Sequence, residues 1–134
     1  MTLLLDTHTV LWVAQDSPRL GRAARRACDA ALAADEVAIP TIAYYELDRL
    51  LRRRRIGDTS IIRDWRARIL ALGVREIPLS ADVALRATGL ENLPGDPFDR
   101  LIVATALIEE ATLLTADQGI LDWPGRLSRR DAHR

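Results

Sequence analysis

The chain has 134 residues, 19 basic side chains balanced by 19 acidic ones, and an apolar fraction of 49%. That length suits one domain burying roughly two thirds of its unfolded surface, and it is too short for two ordinary domains. The zero net charge gives no overall field for drawing in polyanions, and no run approaches the ~18 apolar residues of a membrane span. Cys28 is the single cysteine, so no internal disulfide is expected. Only Leu3 to Leu5 is apolar before Asp6, which is too short for a signal peptide, and the expected location is the reducing cytoplasm. Every basic residue is arginine. Codon bias explains that simply, but its consequence favours planar, bidentate phosphate contacts.

Leu3, Leu4 and Leu5 follow one another without alternation, as in a strand covered on both faces of a parallel sheet, and the first strand is expected over Met1 to Leu5. Asp6 then stands at its carboxyl end, where ligands bind in open α/β sheets. Asp is also a favoured N-cap and would serve equally to start a helix at Thr7. Ser17 and Pro18 read as a cap and a first helical residue, followed by Leu20, Ala24, Ala27, Cys28 and Ala31 at helical spacing. Cys28 is thereby expected as a small buried hydrophobe. Val37 to Ile39 is a short β-prone run. Thr41 to Arg54 predicts a helix, with Thr41 as cap after Pro40 and Gly57 as the stop beyond. Ala43, Leu47, Leu50 and Leu51 form its apolar face, and Glu46 lies on or beside that stripe. A carboxylate there is costly unless paired or bound to a metal. Arg49, three residues on, is the available ion-pair partner.

Ile62, Trp65, Ile69 and Leu72 mark another helix, Val74 to Ile77 a third strand, and Val83, Ala87 and Leu90 a further helix. Trp12 and Trp65 are expected in the core. Asp96 and Pro97 make a strong helix start, since proline's missing N–H is no loss there. Asp99 takes the third helical position, where an acid is favoured by the dipole and can close a capping box, yet two acids in one turn exceed what capping needs. Arg100 offers either a phosphate contact or a salt bridge within its turn. Thr112 to Thr115 is the fourth expected strand, Asp117 starts the turn Asp117, Gln118, Gly119, and a polar tail runs from Ser128 to Arg134. Alternating strands and helices, without repeat or linker, imply one α/β domain over 1–134 with a mainly parallel sheet.

Charge is uneven within this balance. Arg49, Arg52, Arg53, Arg54, Arg55, Arg63, Arg66 and Arg68 place eight basic residues in twenty positions. They are the candidate surface for RNA or a partner, Arg49, Arg52 and Arg53 foremost. Against this, such runs often only face water, and cations at a helix end interact favourably with its last carbonyls.

Four stretches, LLLDTHTVLW from Leu3, PTIAYYEL from Pro40, DPFDRLIVATA from Asp96 and LLTAD from Leu113, together resemble the PIN-domain ribonucleases, and more closely the VapC-like toxins of bacterial toxin and antitoxin pairs. The likeness spans almost the whole chain. It implies a PIN-like α/β/α sandwich with a mainly parallel central sheet. It also implies an acidic quartet of Asp6, Glu46, Asp99 and Asp117, with Thr115 as a hydroxyl supporting the last acid. An RNA substrate, products with a 5′-phosphate and a 3′-hydroxyl, dimerisation and inhibition by a small VapB-like antitoxin follow from the same likeness. The chain departs from many relatives at Tyr44 and Tyr45, where Ser and Trp are common, and at Pro94 and Gly95, where a His often stands.

The donor set narrows the chemistry. Oxygen ligands without a cysteine or histidine cluster favour Mg²⁺, or Mn²⁺, over zinc. Such an ion lowers the pKa of a bound water and stabilises charge on a scissile phosphate. Asp6 and Asp99 are expected as principal ligands, with Glu46 and Asp117 completing the site directly or through water. The function expected is a Mg²⁺-dependent endoribonuclease, a hydrolase using metal-activated water. The alternative is a catalytically idle RNA-binding or antitoxin-binding module of the same fold. A Rossmann enzyme or a P-loop protein is disfavoured because neither glycine motif is present.

Overall fold

The computed structural model describes residues 1–53 and 60–134. In chain order the elements are β1 (Leu3–Leu5), α1 (Thr7–Ala14), α2 (Arg22–Ala33), β2 (Val37–Pro40), α3 (Ile42–Arg53), α4 (Ser60–Ala71), β3 (Arg75–Ile77), α5 (Ala81–Thr88), α6 (Pro97–Ile108), β4 (Thr112–Thr115), α7 (Gln118–Leu121) and β5 (Arg129–Asp131). Arg54, Arg55 and the expected stop at Gly57 lie outside the described residues.

All five strands are parallel, in the order β3-β2-β1-β4-β5. The unbroken leucine run is explained by the two layers it separates. Leu3 and Leu5, with Val37, Ile39 and Leu114, face a core completed by Val10 and Trp12 of α1, Ala24 and Cys28 of α2, Ala43 and Leu47 of α3, and Ile62 and Ile69 of α4. Leu4, Ala38, Ile77 and Leu113 point the other way, onto Val83 and Ala87 of α5, Ile102, Val103 and Ala106 of α6, and Ile120 and Trp123. Side chains alternate across a strand, so a strand between two helical layers needs apolar residues at every position. The result is an α/β/α sandwich. From the central β1 the chain first builds outward to β2 and β3 and then returns to add β4 and β5 on the other side. That reversal places the topological switch point between β1 and β4, at their carboxyl ends.

Three expectations need correction. Helix α2 begins at Arg22, not after Ser17: the Ser17 hydroxyl accepts from Arg19 N–H at 3.2 Å and forms a turn, and buried Leu20 anchors it. The segment from Ser128 is likewise no polar tail. Arg129–Asp131 pairs with β4, Ala132 is fully buried, and the Arg134 carbonyl accepts from Ala23 N–H at 2.7 Å. That carbonyl supplies the cap that Gly21, the N-cap of α2, does not provide with a side chain. A Cβ at Gly21 would lie 2.2 Å from the Arg134 carbonyl carbon, so this approach requires glycine. An edge strand contributes backbone bonds, which is how so polar a sequence joins the sheet. Leu72 also departs from expectation, lying past the end of α4 and 58% exposed. No helix among the described residues is long and apolar enough to cross a membrane.

Candidate active site

Asp6 leaves β1 in extended conformation and caps α1, its Oδ1 accepting from Thr9 N–H at 3.0 Å. Its Oδ2 accepts from the Thr115 hydroxyl at the end of β4. The side chain is only 6% exposed. Burial raises its pKa, and the bonds from Thr115 and Thr9 act against that rise. The Thr115 oxygen in turn accepts from Asp117 N–H at 3.1 Å. The Thr115 hydroxyl therefore holds the carboxylate of the first acid and the backbone N–H of the last.

Glu46 is half-buried on α3, and its Oε1 accepts from the Thr7 hydroxyl of α1 at 2.5 Å. The anticipated ion pair with Arg49 does not form. Arg49 lies over the Phe98 ring, 5.4 Å from its centroid. Thr7 was not singled out from the sequence, and only the packing of α1 on α3 reveals it.

Asp99 is placed by its own helix start. Asp96 caps α6 by accepting from Asp99 N–H at 3.1 Å, with Pro97 in the first turn. Burial, then repulsion from Asp96, Asp117, Glu46 and Asp6, pushes the Asp99 carboxyl up to about 7. Gly95 has φ +121°, and a Cβ there would stand 2.8 Å from Asp99 Oδ2, so glycine leaves this carboxylate room. Arg100 makes no ion pair within its turn. Its guanidinium donates to the carbonyls of Leu90 at 2.6 Å, Leu93 at 2.9 Å and Ala87 at 3.1 Å, tying the end of α5 and the following loop to α6. Asp117 caps α7 by accepting from Ile120 N–H at 2.9 Å.

Capping does not keep these acids apart from one another. Three of the acids that cap helices, Asp6, Asp96 and Asp117, share with Glu46 and Asp99 a cleft of about 180 Å³ at the switch point, whose rim also carries Thr7 and His8. Larger hollows of about 490 and 510 Å³ exist elsewhere, but neither gathers carboxylates. Among the described residues, no three acidic, histidine or cysteine side chains close tightly enough to cage a bare ion. A spread, all-carboxylate set in which burial and then the neighbouring acids raise Asp99 fits a hard divalent cation that keeps several waters, as Mg²⁺ does, and does not fit zinc.

The arginine cluster is partly neutralised. Arg52 pairs with Asp48 at 2.7 Å, and Arg66 grips Glu76 with two bonds of 2.7 and 2.8 Å.

Over residues 3–124 the sequence matches the PIN domain family. It is 37% identical over 118 residues to ribonuclease VapC22 of Mycobacterium tuberculosis (strain ATCC 25618 / H37Rv), covering 87% of this chain and 88% of that protein. Among solved structures, VapBC2 from Rickettsia felis bound to a DNA fragment from their promoter matches with a TM-score of 0.75 at 19% identity, covering 98% of both chains. DNA-bound VapBC from Salmonella typhimurium gives 0.74 at 14% identity, again over 98% of both. At such identities the two structures speak for the fold, which agrees with the sequence match over nearly all of the chain: this protein belongs to the PIN domain family.

Proposed function

We propose that this protein is a Mg²⁺-dependent endoribonuclease, with Mn²⁺ as an alternative ion, and the toxin of a toxin–antitoxin pair. The observation that carries the reading is the convergence of Asp6, Glu46, Asp99 and Asp117 at the switch point, with Asp99 pushed up to about 7 by burial and its fellow acids. A relative named as a ribonuclease, 37% identical, supports RNA as substrate. Structural neighbours that are VapBC complexes support a VapB-like antitoxin as partner, and a homodimer is part of the proposal.

Asp6 and Asp99 would hold the ion, Glu46 and Asp117 completing the site directly or through water. When bound, the cation supplies an acidified water and stabilises charge on the scissile phosphate. The residues around it do the positioning. Thr115 and Thr9 fix both oxygens of Asp6, and Thr7 fixes one oxygen of Glu46, so the free lone pairs of these acids point to a defined place. Asp99, above its usual range, is held ready to give up its proton when positive charge arrives.

Incubating the protein with a defined RNA panel in Mg²⁺, Mn²⁺ or chelator tests this. Cleavage is expected with either metal, none in chelator, and only a small residue of it by Asp99→Asn. Cleavage that persists in chelator would remove the metal from the reading. A folded protein that binds RNA or an antitoxin and never cleaves would be the idle module instead.

A further inference from the structure

Tyr45 and Phe98 each immediately precede an acid of the cleft, Glu46 and Asp99. Their ring centroids are 5.5 Å apart with the planes inclined by 33°, and the Arg49 guanidinium lies 5.4 Å from the Phe98 centroid. Tyr45 and Arg49 are four residues apart and so share one face of α3. Tyr45 is 58% exposed, although the other aromatics near the core, such as Trp12 and Trp123, are buried. Beside it a hollow of about 70 Å³, lined by Arg49, Leu50 and Arg53, shares Glu46 and Asp96 with the acidic cleft. Cations and an open aromatic face therefore adjoin the carboxylates directly. Among the described residues Arg49 forms no ion pair, unlike Arg52 and Arg66.

A cleft made of acids repels a polyanion, so a strand of nucleic acid entering it needs cationic contacts just outside. Arg49 offers planar donors that suit a phosphate. The base attached to that phosphate needs a stacking surface, which single strands find on exposed aromatic rings. We propose that Tyr45, Phe98 and Arg49 form the binding site for the nucleotide next to the scissile phosphate of single-stranded RNA, with its base stacked on Tyr45 and a phosphate on Arg49. This rests on the ribonuclease reading. A protein contact would ask for a broader apolar area than one ring set among arginines and acids, whereas a base needs only the face of the ring.

The test is cleavage kinetics of one short single-stranded RNA by the full chain carrying Tyr45→Phe, Tyr45→Leu or Tyr45→Ala. Melting temperatures should not change, because the ring is exposed. Tyr45→Phe keeps the ring face and is expected to match wild type. Tyr45→Ala is expected to raise KM about 5- to 150-fold, the range for one lost stacked base, with kcat little changed. Tyr45→Leu keeps apolar bulk but no π face, and it should resemble Ala. In a scan of abasic RNAs, wild type should lose affinity at one nucleotide beside the cut, and Tyr45→Ala should lose nothing further there. Leu performing like Phe, an unchanged KM for Ala, or loss of self-association at constant KM would each overturn the proposal, the last by assigning the patch to a contact between proteins. If wild type cuts no RNA with any metal, the ribonuclease reading falls together with this site. If wild type cuts and the Tyr45 series is flat, only this site falls.

Discussion

The two halves of the acidic cleft are built differently. Asp6 and Glu46 are tied down by hydroxyls: Thr115 and the Thr9 N–H hold the first, Thr7 holds the second. Asp99 accepts no side-chain or backbone hydrogen bond among the described residues, and it absorbs the repulsion of every other acid in the cleft. Its place is set indirectly, by the Asp96 cap on its own N–H and by the loop that Arg100 ties above it. Burial raises both Asp6 and Asp99, but hydrogen bonds offset part of that cost at Asp6, whereas at Asp99 the repulsion of four other acids adds to it. A half oriented by hydrogen bonds and a half left to mutual repulsion are together what the proposed ion, keeping several of its waters, would require.

The largest expected effect sharpens this contrast between neighbours in one turn. Asp99→Asn should lower metal-dependent RNA cleavage by at least about a hundredfold, because it removes a charge proposed to hold the ion, a role worth several kcal/mol. Asp96→Asn should cost far less, since Asn caps a helix about as well as Asp. Rates of both variants on one RNA at saturating Mg²⁺ decide the matter. Equal losses would place Asp96 in the site and dissolve the distinction between cap and ligand.

Next comes the scaffold of the Asp99 half. Arg100→Met deletes three bonds to backbone carbonyls, and a charged donor lost from partly buried acceptors should cost roughly 2–4 kcal/mol of stability. Arg100→Lys should recover only part, because an ammonium cannot span a fork of three carbonyls. Urea melts measure this. A phosphate-binding arginine would instead weaken RNA binding and its salt dependence while leaving the melt unchanged.

Much of this was legible in the sequence. Leu3 to Leu5 and the Asp96–Pro97 start were each read correctly, because an all-apolar run and a capped proline have few alternative meanings. The sequence also singles out the four acids that the fold brings into one cleft, and the capping roles it offers for Asp6 and Asp117 are present. What stayed hidden has a common cause. Thr7 holding Glu46 across 39 residues, Thr115 serving Asp6 across 109, and Arg100 gripping α5 at Ala87 are contacts between elements, and no periodicity along one helix reports them. The strand Arg129–Asp131 escaped for a different reason. As an edge strand it is held by backbone pairing with β4, so its own residues could be arginine and aspartate.

A smaller effect tests the half oriented by hydrogen bonds. Thr115→Val keeps the shape but removes the hydroxyl from Asp6, and loss of a group orienting a proposed ligand should reduce metal affinity about 10- to 100-fold. Thr115→Ser should restore it. Thr7→Val should act in the same direction through Glu46. Midpoints of Mg²⁺-induced thermal stabilisation compare all three, and a Thr115→Val protein with wild-type midpoints would show that hydroxyl anchoring is not what orients Asp6.

The smallest expected effect concerns the metal-free protein and follows from the sign of the Asp99 shift. Its carboxyl titrates near 3.8 ordinarily and at about 7 in the folded chain. Between those values the folded state holds a proton that the unfolded state has released, so stability falls as pH rises through that window and levels off above about 7. The buried Asp6, also raised, adds to the same slope. In chelator and at fixed ionic strength, urea midpoints should therefore be higher near pH 5 than near pH 8. Asp99→Asn should flatten part of the decline, leaving the share that belongs to Asp6. Asp96→Asn should shorten the window from above, since Asp96 is the acid that contributes most to the repulsion on Asp99. Saturating Mg²⁺ should weaken or reverse the slope, because protons then compete with the ion for the same carboxylates. A wild-type midpoint that climbs from pH 5 to pH 8 without metal would mean that neither Asp99 nor Asp6 holds its proton above the ordinary range in the folded chain, and the electrostatic contrast between the two halves of the cleft would fall.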